Sequence, residues 1–336
     1  MKAIVHHGYG SPDAVLELRE IDKPVVKDDE VLVRVRATSV HPDVWHVVSG
    51  RPYVLRLMGA GVLRPKSRVP GTDVAGQVES VGKSVTRFRP GDEVFGETVR
   101  GYQWRNGGAF AEYVSAPEEA LALKPDGVTF EQAAAVPNSG LIALLNLQQG
   151  QLKPGHNVLV NGAGGGVGAI AVQLAKAHGA TVTGVDSTKK LDMIRAIGAD
   201  RVIDYTKEDF TRAGERYDLI FDVPGGHPFS ECRRVLKPDG VYVLIGHDHF
   251  GQVGRRWWGS LPRFLGLMVL SLFVRQLPKP NFSMPSKQEQ MAVLRELMEA
   301  GKLTPVVDRT YPLEEVPEAM RRLAAGDTRG RIVIAL

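Results

Sequence analysis

A β-strand that runs into glycines and then into an apolar helix leaves a chain few architectures, and this sequence carries such a stretch at its middle. Asn157 to Asn161 reads as a strand, Gly162-Ala163-Gly164-Gly165-Gly166-Val167-Gly168 as a turn, and Val167 to His178, with Ile170, Val172 and Leu174, as a helix. Strand, glycine-rich turn and helix in that order are what a dinucleotide-binding βαβ unit requires. Gly165 would admit a pyrophosphate to the backbone and Gly168 would let helix and strand pack closely. The helix N-terminus would present N–H groups at its positive dipole end. Ala163 stands where the usual fingerprint has its first glycine. The next strand, Thr181 to Asp186, ends on an acid placed to accept from an adenosine ribose, and its charge would repel a 2′-phosphate. Ser187, Lys189 and Lys190 follow at once. They either supply what a 2′-phosphate needs or form the solvated first turn of a helix over Lys189 to Ile197.

The βα alternation continues on both sides. Glu131 to Gln149 reads as helix, and Val202 to Tyr205, Leu219 to Val223 and Val241 to Ile245 as short apolar strands of a parallel sheet. This predicts an α/β chain with a doubly wound domain over 125–284. Residues 1–124 have another texture. Strand-like Lys2 to His6, Glu30 to Ala37, Asp73 to Val81, Glu93 to Glu97 and Ala111 to Val114 are punctuated by Gly71, Gly76, Gly82 and Gly91, as in a small β-barrel or sandwich. At 336 residues one core no longer suffices, so two domains are expected. Ser286 and Glu289 stand at capping-box spacing ahead of Met291, Leu294, Leu297 and Met298, with Gly301 as the stop. A strand at Pro305 to Asp308, a helix from Glu314 to Ala325 and a strand at Arg331 to Ala335 resume the first texture, so 285–336 should rejoin 1–124.

Charge excludes one class of partner. Lys+Arg 42 against Asp+Glu 38, scattered along the chain, gives no basic stripe for nucleic acid. The lone Cys232 permits no intrachain disulfide and no cysteine-rich zinc site, and MKAIVHHGYG has no apolar leader core, which together predict a reducing, cytoplasmic setting. Phe264 to Val274 would span about 16 Å as a helix against a hydrocarbon core of ~30 Å, too short to cross a membrane. The surrounding Arg255 to Arg275 has the pattern of an interfacial helix, and also suits a helix that covers a cleft or makes a dimer contact. A homodimer is the expected assembly, and a membrane surface is not an expected partner.

Four blocks, GTDVAGQVESVG (71–82), RPGDEVFG (89–96), NGAGGGVGAIAVQLAKA (161–177) and GADRVIDYTKEDF (198–210), with the terminal TYPLEEVPEA and GRIVIAL, resemble the medium-chain dehydrogenase/reductase superfamily. Within it the chain is similar to the zinc-independent quinone oxidoreductase and enoyl reductase branch. The resemblance implies a GroES-like β-rich catalytic domain built from both chain ends, a central Rossmann domain, and NADPH or NADH as cofactor. The family leans to NADPH, and Asp186 argues for NADH. Where zinc-dependent relatives carry cysteine, histidine and a third ligand, this chain has His41, Thr72 and no cysteine near Pro137 to Leu141, and the four-cysteine lobe is missing, so no metal is expected. His247-Asp248-His249 reads either as a metal cluster or as a cleft-lining loop.

Without a Lewis acid, conjugated acceptors are the natural substrates, because hydride adds to carbon and the charge flows to an oxygen that ordinary donors can hold. The expected substrate is therefore a small apolar quinone, enone, enal or enoyl compound. Tyr53 resembles the family's substrate-facing tyrosine and would donate to the enolate or deliver the proton; otherwise it packs at a loop edge. His41, in place of an asparagine, retains a ring donor, and Asp43 or His46 would relay protons to solvent, unless they are turn residues around Pro42. Ile142 lacks the threonine hydroxyl of relatives, for which Asn138 and Ser139 would compensate. Gly246 and His247 would form the nicotinamide end of the cleft. The alternatives are a dinucleotide-binding sensor or partner protein whose active site has drifted, and a protein that associates with a membrane surface through Arg255 to Arg275.

Overall fold

The computed structural model describes residues 1–101, 105–246, 256–280 and 285–336. β-Branched residues in alternation make the first part of the chain a sheet. β1 (Lys2–His6) pairs antiparallel with β2 (Leu16–Glu20) across the short α1 (Pro12–Val15). β3 (Glu30–Val40) is followed by α2 (Pro42–Ser49), β4 (Asp73–Val81), β5 (Glu93–Glu97), β6 (Tyr113–Pro117), β7 (Leu121–Leu123) and α3 (Phe130–Ala134). Val31, Val33 and Val35 point inward from β3 and meet Val74, Val78, Val94, Val114 and Leu121 in one core.

The next segment alternates as its periodicity predicts. It runs α4 (Pro137–Gln149), β8 (Asn157–Asn161), α5 (Gly166–Ala177), β9 (Thr181–Asp186), α6 (Leu191–Ala196), β10 (Arg201–Asp204), β11 (Tyr217–Asp222), α7 (Phe229–Cys232), β12 (Leu236–Leu244) and α8 (Leu261–Leu270). Its five strands are parallel in the order β10-β9-β8-β11-β12. Strand order reverses between β8 and β11, where Asn161 stands opposite Asp222. In doubly wound sheets, ligands bind at that reversal, outside the carboxyl ends of the strands.

The chain then gives α9 (Lys287–Glu299), β13 (Val307–Pro312), α10 (Val316–Ala324) and β14 (Arg331–Ala335). β14 inserts beside β3, with Ile332 opposite Val40 and Ala335 opposite Ala37, so the larger sheet runs β13-β14-β3-β4-β5-β7, with β6 also on β3. One unit comprises Met1–Asn138, Ser286–Ala300 and Pro305–Leu336; the other comprises Ser139–Pro285 and Gly301–Thr304. The architecture is thus a GroES-like β-rich unit and a Rossmann unit.

Several elements depart from the sequence expectation. The single helix over Glu131 to Gln149 is two, because Pro137 has no N–H to continue the first and disfavours helical geometry at Val136. The strand expected at Ala111 to Val114 runs from Tyr113 to Pro117, and that at Pro305 to Asp308 from Val307 to Pro312. The helix after Asp186 opens with a 3₁₀ turn over Thr188–Lys190. Ser286 does occupy the N-cap of α9 but makes no side-chain capping bond, so the capping box read there does not form. The segment for which turn residues around Pro42 are one of two readings is the helix α2, with Pro42 in its first turn and Gly50, at φ +62°, closing it.

Candidate active site

Two groups of residues carry chemistry, one in each unit. In the second unit, Gly162 takes φ +79° to turn the chain out of β8, and its N–H donates to Val185 O at 2.9 Å. A Cβ on Gly168 would lie 2.8 Å from Ala163 Cα and closer still to Gly162 O, so α5 rests directly on the turn. On Gly165, the N-cap of α5, a Cβ would meet nothing nearer than Gly162 O at 3.6 Å. That side of the turn is open, and the first N–H groups of α5, from Gly166, Val167 and Gly168, have no acceptor one turn back. Ala163 is buried, and its N–H donates to Val185 O at 3.1 Å.

Asp186 is not the free acid that the strand end suggested. Its carboxylate accepts from Gly164 N–H at 2.9 Å and Ser187 N–H at 2.8 Å, with Lys190 Nζ at 3.6 Å. Lys190 is buried, and a Cβ on Gly164 would sit 2.6 Å from its Cδ, so its stem lies along the glycine turn; Lys189 is exposed. Repulsion of a 2′-phosphate by Asp186 is therefore offset by a cation and two N–H dipoles. At the strand-order reversal, the buried Asp222 accepts from Asn161 Nδ2 at 2.8 Å, Tyr242 OH at 2.8 Å and Gly225 N–H at 3.1 Å. Burial, with Asp222 beside it, pushes the Tyr242 phenol well above the usual tyrosine range. Sequence reasoning passed over Asp222; its signal is an acid closing the apolar run LIFD. Gly246 packs so closely on Val223 O that a Cβ would clash. His247, with His249, lies outside the described residues.

In the first unit, His41, Asp43 and Asn138 are brought together. His41 is fully enclosed, and its Nε2 shares a hydrogen bond of 2.8 Å with Thr72 Oγ1. Its Nδ1 lies 3.9 Å from Asp43 Oδ2, too far for a hydrogen bond. Burial, and secondarily Arg331, hold the imidazole pKa well below its ordinary value, so the ring is neutral and the contact with Asp43 is not an ion pair. Asn138 donates from its side chain to Asp43 at 3.1 Å and from its backbone to Asp73 at 3.0 Å, and accepts from Arg331 at 3.2 Å. Ser39 OH donates to Asp73 as well.

The charges here balance by design of the sheet. Asp73 and Glu97 stand opposite one another on β4 and β5, an arrangement that like charge disfavours. The returning C-terminal elements answer it: Arg331 on β14 lies beside Asp73, and Lys287 on α9 pairs with Glu97 and donates to Val99 O at 2.8 Å. Burial still lifts Asp73 to about 7 and raises Asp43. Neither Asp73, Arg331 nor the Glu97–Lys287 pair was singled out from sequence, although a charge opening an apolar strand, in DVAGQV and RIVIA, is the available signal.

Tyr53 lies against Arg56, whose guanidinium is 4.7 Å from the centre of its ring and 4.3 Å from that of Tyr9. His46 cannot relay protons to solvent as its position suggested: it is fully buried, and its Nδ1 donates to Arg51 O at 2.7 Å. Asn138, engaged by Asp43 and Arg331, has its amide committed within the first unit, and Ser139 is buried. Among the described residues no group of three His, Cys, Asp or Glu side chains is arranged to hold a metal.

Comparison with known proteins adds to this geometry. Residues 27–126 match the alcohol dehydrogenase GroES-like domain and 197–334 the zinc-binding dehydrogenase family. The NADPH-dependent alkenal/one oxidoreductase of Arabidopsis thaliana chloroplasts is 32% identical over 99% of this chain and 79% of its own length. A chloroplastic quinone-oxidoreductase homolog of Spinacia oleracea is 31% identical over 99% of this chain and 98% of its own. The solved quinone oxidoreductase of Coxiella burnetii superposes with a TM-score of 0.83 at 28% identity, covering 100% of this chain and 99% of that one.

Proposed function

The chain belongs to the medium-chain dehydrogenase/reductase superfamily, in its quinone oxidoreductase-like branch, and on that premise we propose that it reduces conjugated acceptors, quinones, enones or enals, at the expense of NADPH. The observation that carries the reading is the glycine-rich turn, open at Gly165 and aimed by the N-terminus of α5. A pyrophosphate fits there, since backbone N–H groups and the helix dipole favour its charge and no side chain obstructs it. Lys190 beside Asp186, with Ser187 and the exposed Lys189 next to it, supports NADPH over NADH. When bound, the nicotinamide supplies the hydride.

The chain's own residues have the remaining tasks. The oxygen that gathers charge needs a donor. We assign that role to Tyr53, which is partly exposed, ahead of His41, whose one bonded nitrogen is committed to Thr72. Asp43, its carboxyl raised by burial and a third exposed, suits a proton relay to the product carbon. The donor set does not suit a catalytic zinc, which takes about three protein ligands and an open position. His41 faces a hydroxyl where a second ligand would be needed. The thiol of Cys232 is buried and pushed up to about 12, which does not suit a redox role. The alternative of a drifted, inactive dinucleotide-binding protein has no observation in its favour.

The test is NADPH oxidation with a naphthoquinone, an enal and an enone beside a saturated ketone. Turnover of the conjugated acceptors alone, unaffected by a chelator, is expected; reduction of the saturated ketone with loss of activity in chelator would refute the reading. Tyr53→Phe should slow enone turnover on the order of 10²-fold with NADPH affinity unchanged. A quinone, whose product takes its protons from water, should suffer less. Near-native enone turnover would transfer the role to His41.

A further inference from the structure

We propose that the outer face of α8 and the turn that follows it docks this protein on an anionic lipid bilayer. The inference is independent of the hydride chemistry. From 261 to 274 the helical turns have two faces, one held by the protein and one apolar and exposed. The inner positions, Arg263, Leu267, Ser271 and Val274, recur at helical spacing and are held by the second unit. Leu267 and Val274 pack on its core, Ser271 is buried, and Arg263 donates to Gly225 O and, at 2.5 Å, to His227 O. The opposite positions, Leu265, Met268, Val269, Leu272 and Phe273, recur at the same spacing and are all exposed, Phe273 to 80%. A surface helix ordinarily carries polar residues there. Trp257, 69% exposed, and Trp258 extend the same apolar surface. Exposed aromatics next to an apolar helical face are the composition of a helix lying in the lipid interface.

Charge selects the occupant. Between His249 and Gln288 the sequence has no Asp or Glu, while Arg255, Arg256, Arg263, Arg275, Lys279 and Lys287 are basic. Of these, Arg256, Arg275 and Lys279 are exposed, Lys279 donating to Ser271 O. A second copy meeting the first through this face about a two-fold axis would set these cations against their own equivalents with no acid of the segment to answer them. An anionic headgroup layer offers both the apolar phase and the counter-charge. No helix among the described residues is long and apolar enough to cross a membrane, so the contact is one of lying on the surface. The sequence offers an interfacial helix as well as a cleft cover or dimer contact for this stretch, with a membrane surface not the expected partner. The exposure of its outer stripe is what reverses that expectation.

The experiment is sedimentation of the full chain with vesicles of phosphatidylcholine alone or with phosphatidylglycerol, beside light scattering without lipid. The chain should pellet with anionic vesicles, about tenfold less with neutral ones, and less as salt rises. Val269→Glu and Phe273→Glu should cut binding about tenfold with the unfolding temperature unchanged or raised, because neither side chain is packed. Failure to pellet with anionic vesicles, equal pelleting of the variants, or a lipid-free dimer that the same variants split into monomers would overturn the proposal, the last assigning the face to a second copy.

Discussion

Single residues decide what the glycine turn tolerates. At Gly165 there is room for a side chain and an ordinary backbone (φ −87°), so Gly165→Asp should leave the unfolding temperature within a few degrees. It should weaken NADPH about fivefold or more, since a like charge ~4 Å from a phosphate costs at least about 1 kcal/mol. Unchanged affinity by calorimetric titration would show the pyrophosphate to lie elsewhere. Gly168→Val drives a branched side chain into Ala163 and Gly162, and should cost ~1–3 kcal/mol of stability in addition to affinity. At Asp73 the consequence is a pH dependence. Its pKa rises from 3.8 to about 7 on folding, so the folded state holds the proton more tightly. Its contribution is therefore fully present below pH 4 and lost as pH rises toward 7, at up to about 1.4 kcal/mol per pH unit. His6, held down to about 4 by burial, works in the opposite sense, losing stability as pH falls from 6.5. Comparing urea midpoints of the native chain and Asp73→Asn isolates the first effect, which should be absent in the variant.

Elements differ in whether their ends are fastened by side chains or by packing. Thr129 and Gln132 form a complete capping box on α3, with bonds of 3.2 and 3.1 Å, while Ser286 on α9 makes no such bond. Thr129→Ala should cost ~1 kcal/mol in urea unfolding and Ser286→Ala only about a few tenths. Equal losses would mean that local spacing is a better guide to capping than the observed geometry. α9 holds its place instead through Met291, Leu294 and Met298, which are buried, and through Lys287 on Glu97. Two sequence boundaries were misread for the same physical reason. Pro42 and Pro137 each stand at the first position of a helix, α2 and α4, where the missing N–H costs nothing, and Pro137 thereby also ends the helix before it.

At the scale of the whole molecule, the last strand holds the first unit together. β14 lies between β13 and β3 and carries Arg331 into the company of Asp73, Asp43 and Glu97. Arg331→Met removes the cation and leaves Asp73 buried without it, which should destabilise the protein by roughly 3–5 kcal/mol. Amide exchange should quicken in β3 and β14 and stay unchanged in β8 and β11, which belong to the unit with its own core. Uniform acceleration would show one cooperative structure where two cores are seen.

The sequence by itself determined the parallel sheet, the glycine turn, the antiparallel β-rich region and the family, because each is written within some thirty residues as periodicity, backbone freedom and motif. β4, β5, β8, β9 and β14 begin and end where their patterns say. Only the tertiary structure decided what the charged and polar side chains do. Asn138 meets Arg331 across 193 residues, Lys287 meets Glu97 across 190, and Asp186 turns back on the glycine turn and Lys190. It also decided which face of α8 is covered. Residue type fixes what a side chain can bond to or bury. Which partner lies within about 3 Å, and which face meets a core, depends on how distant strands are brought together.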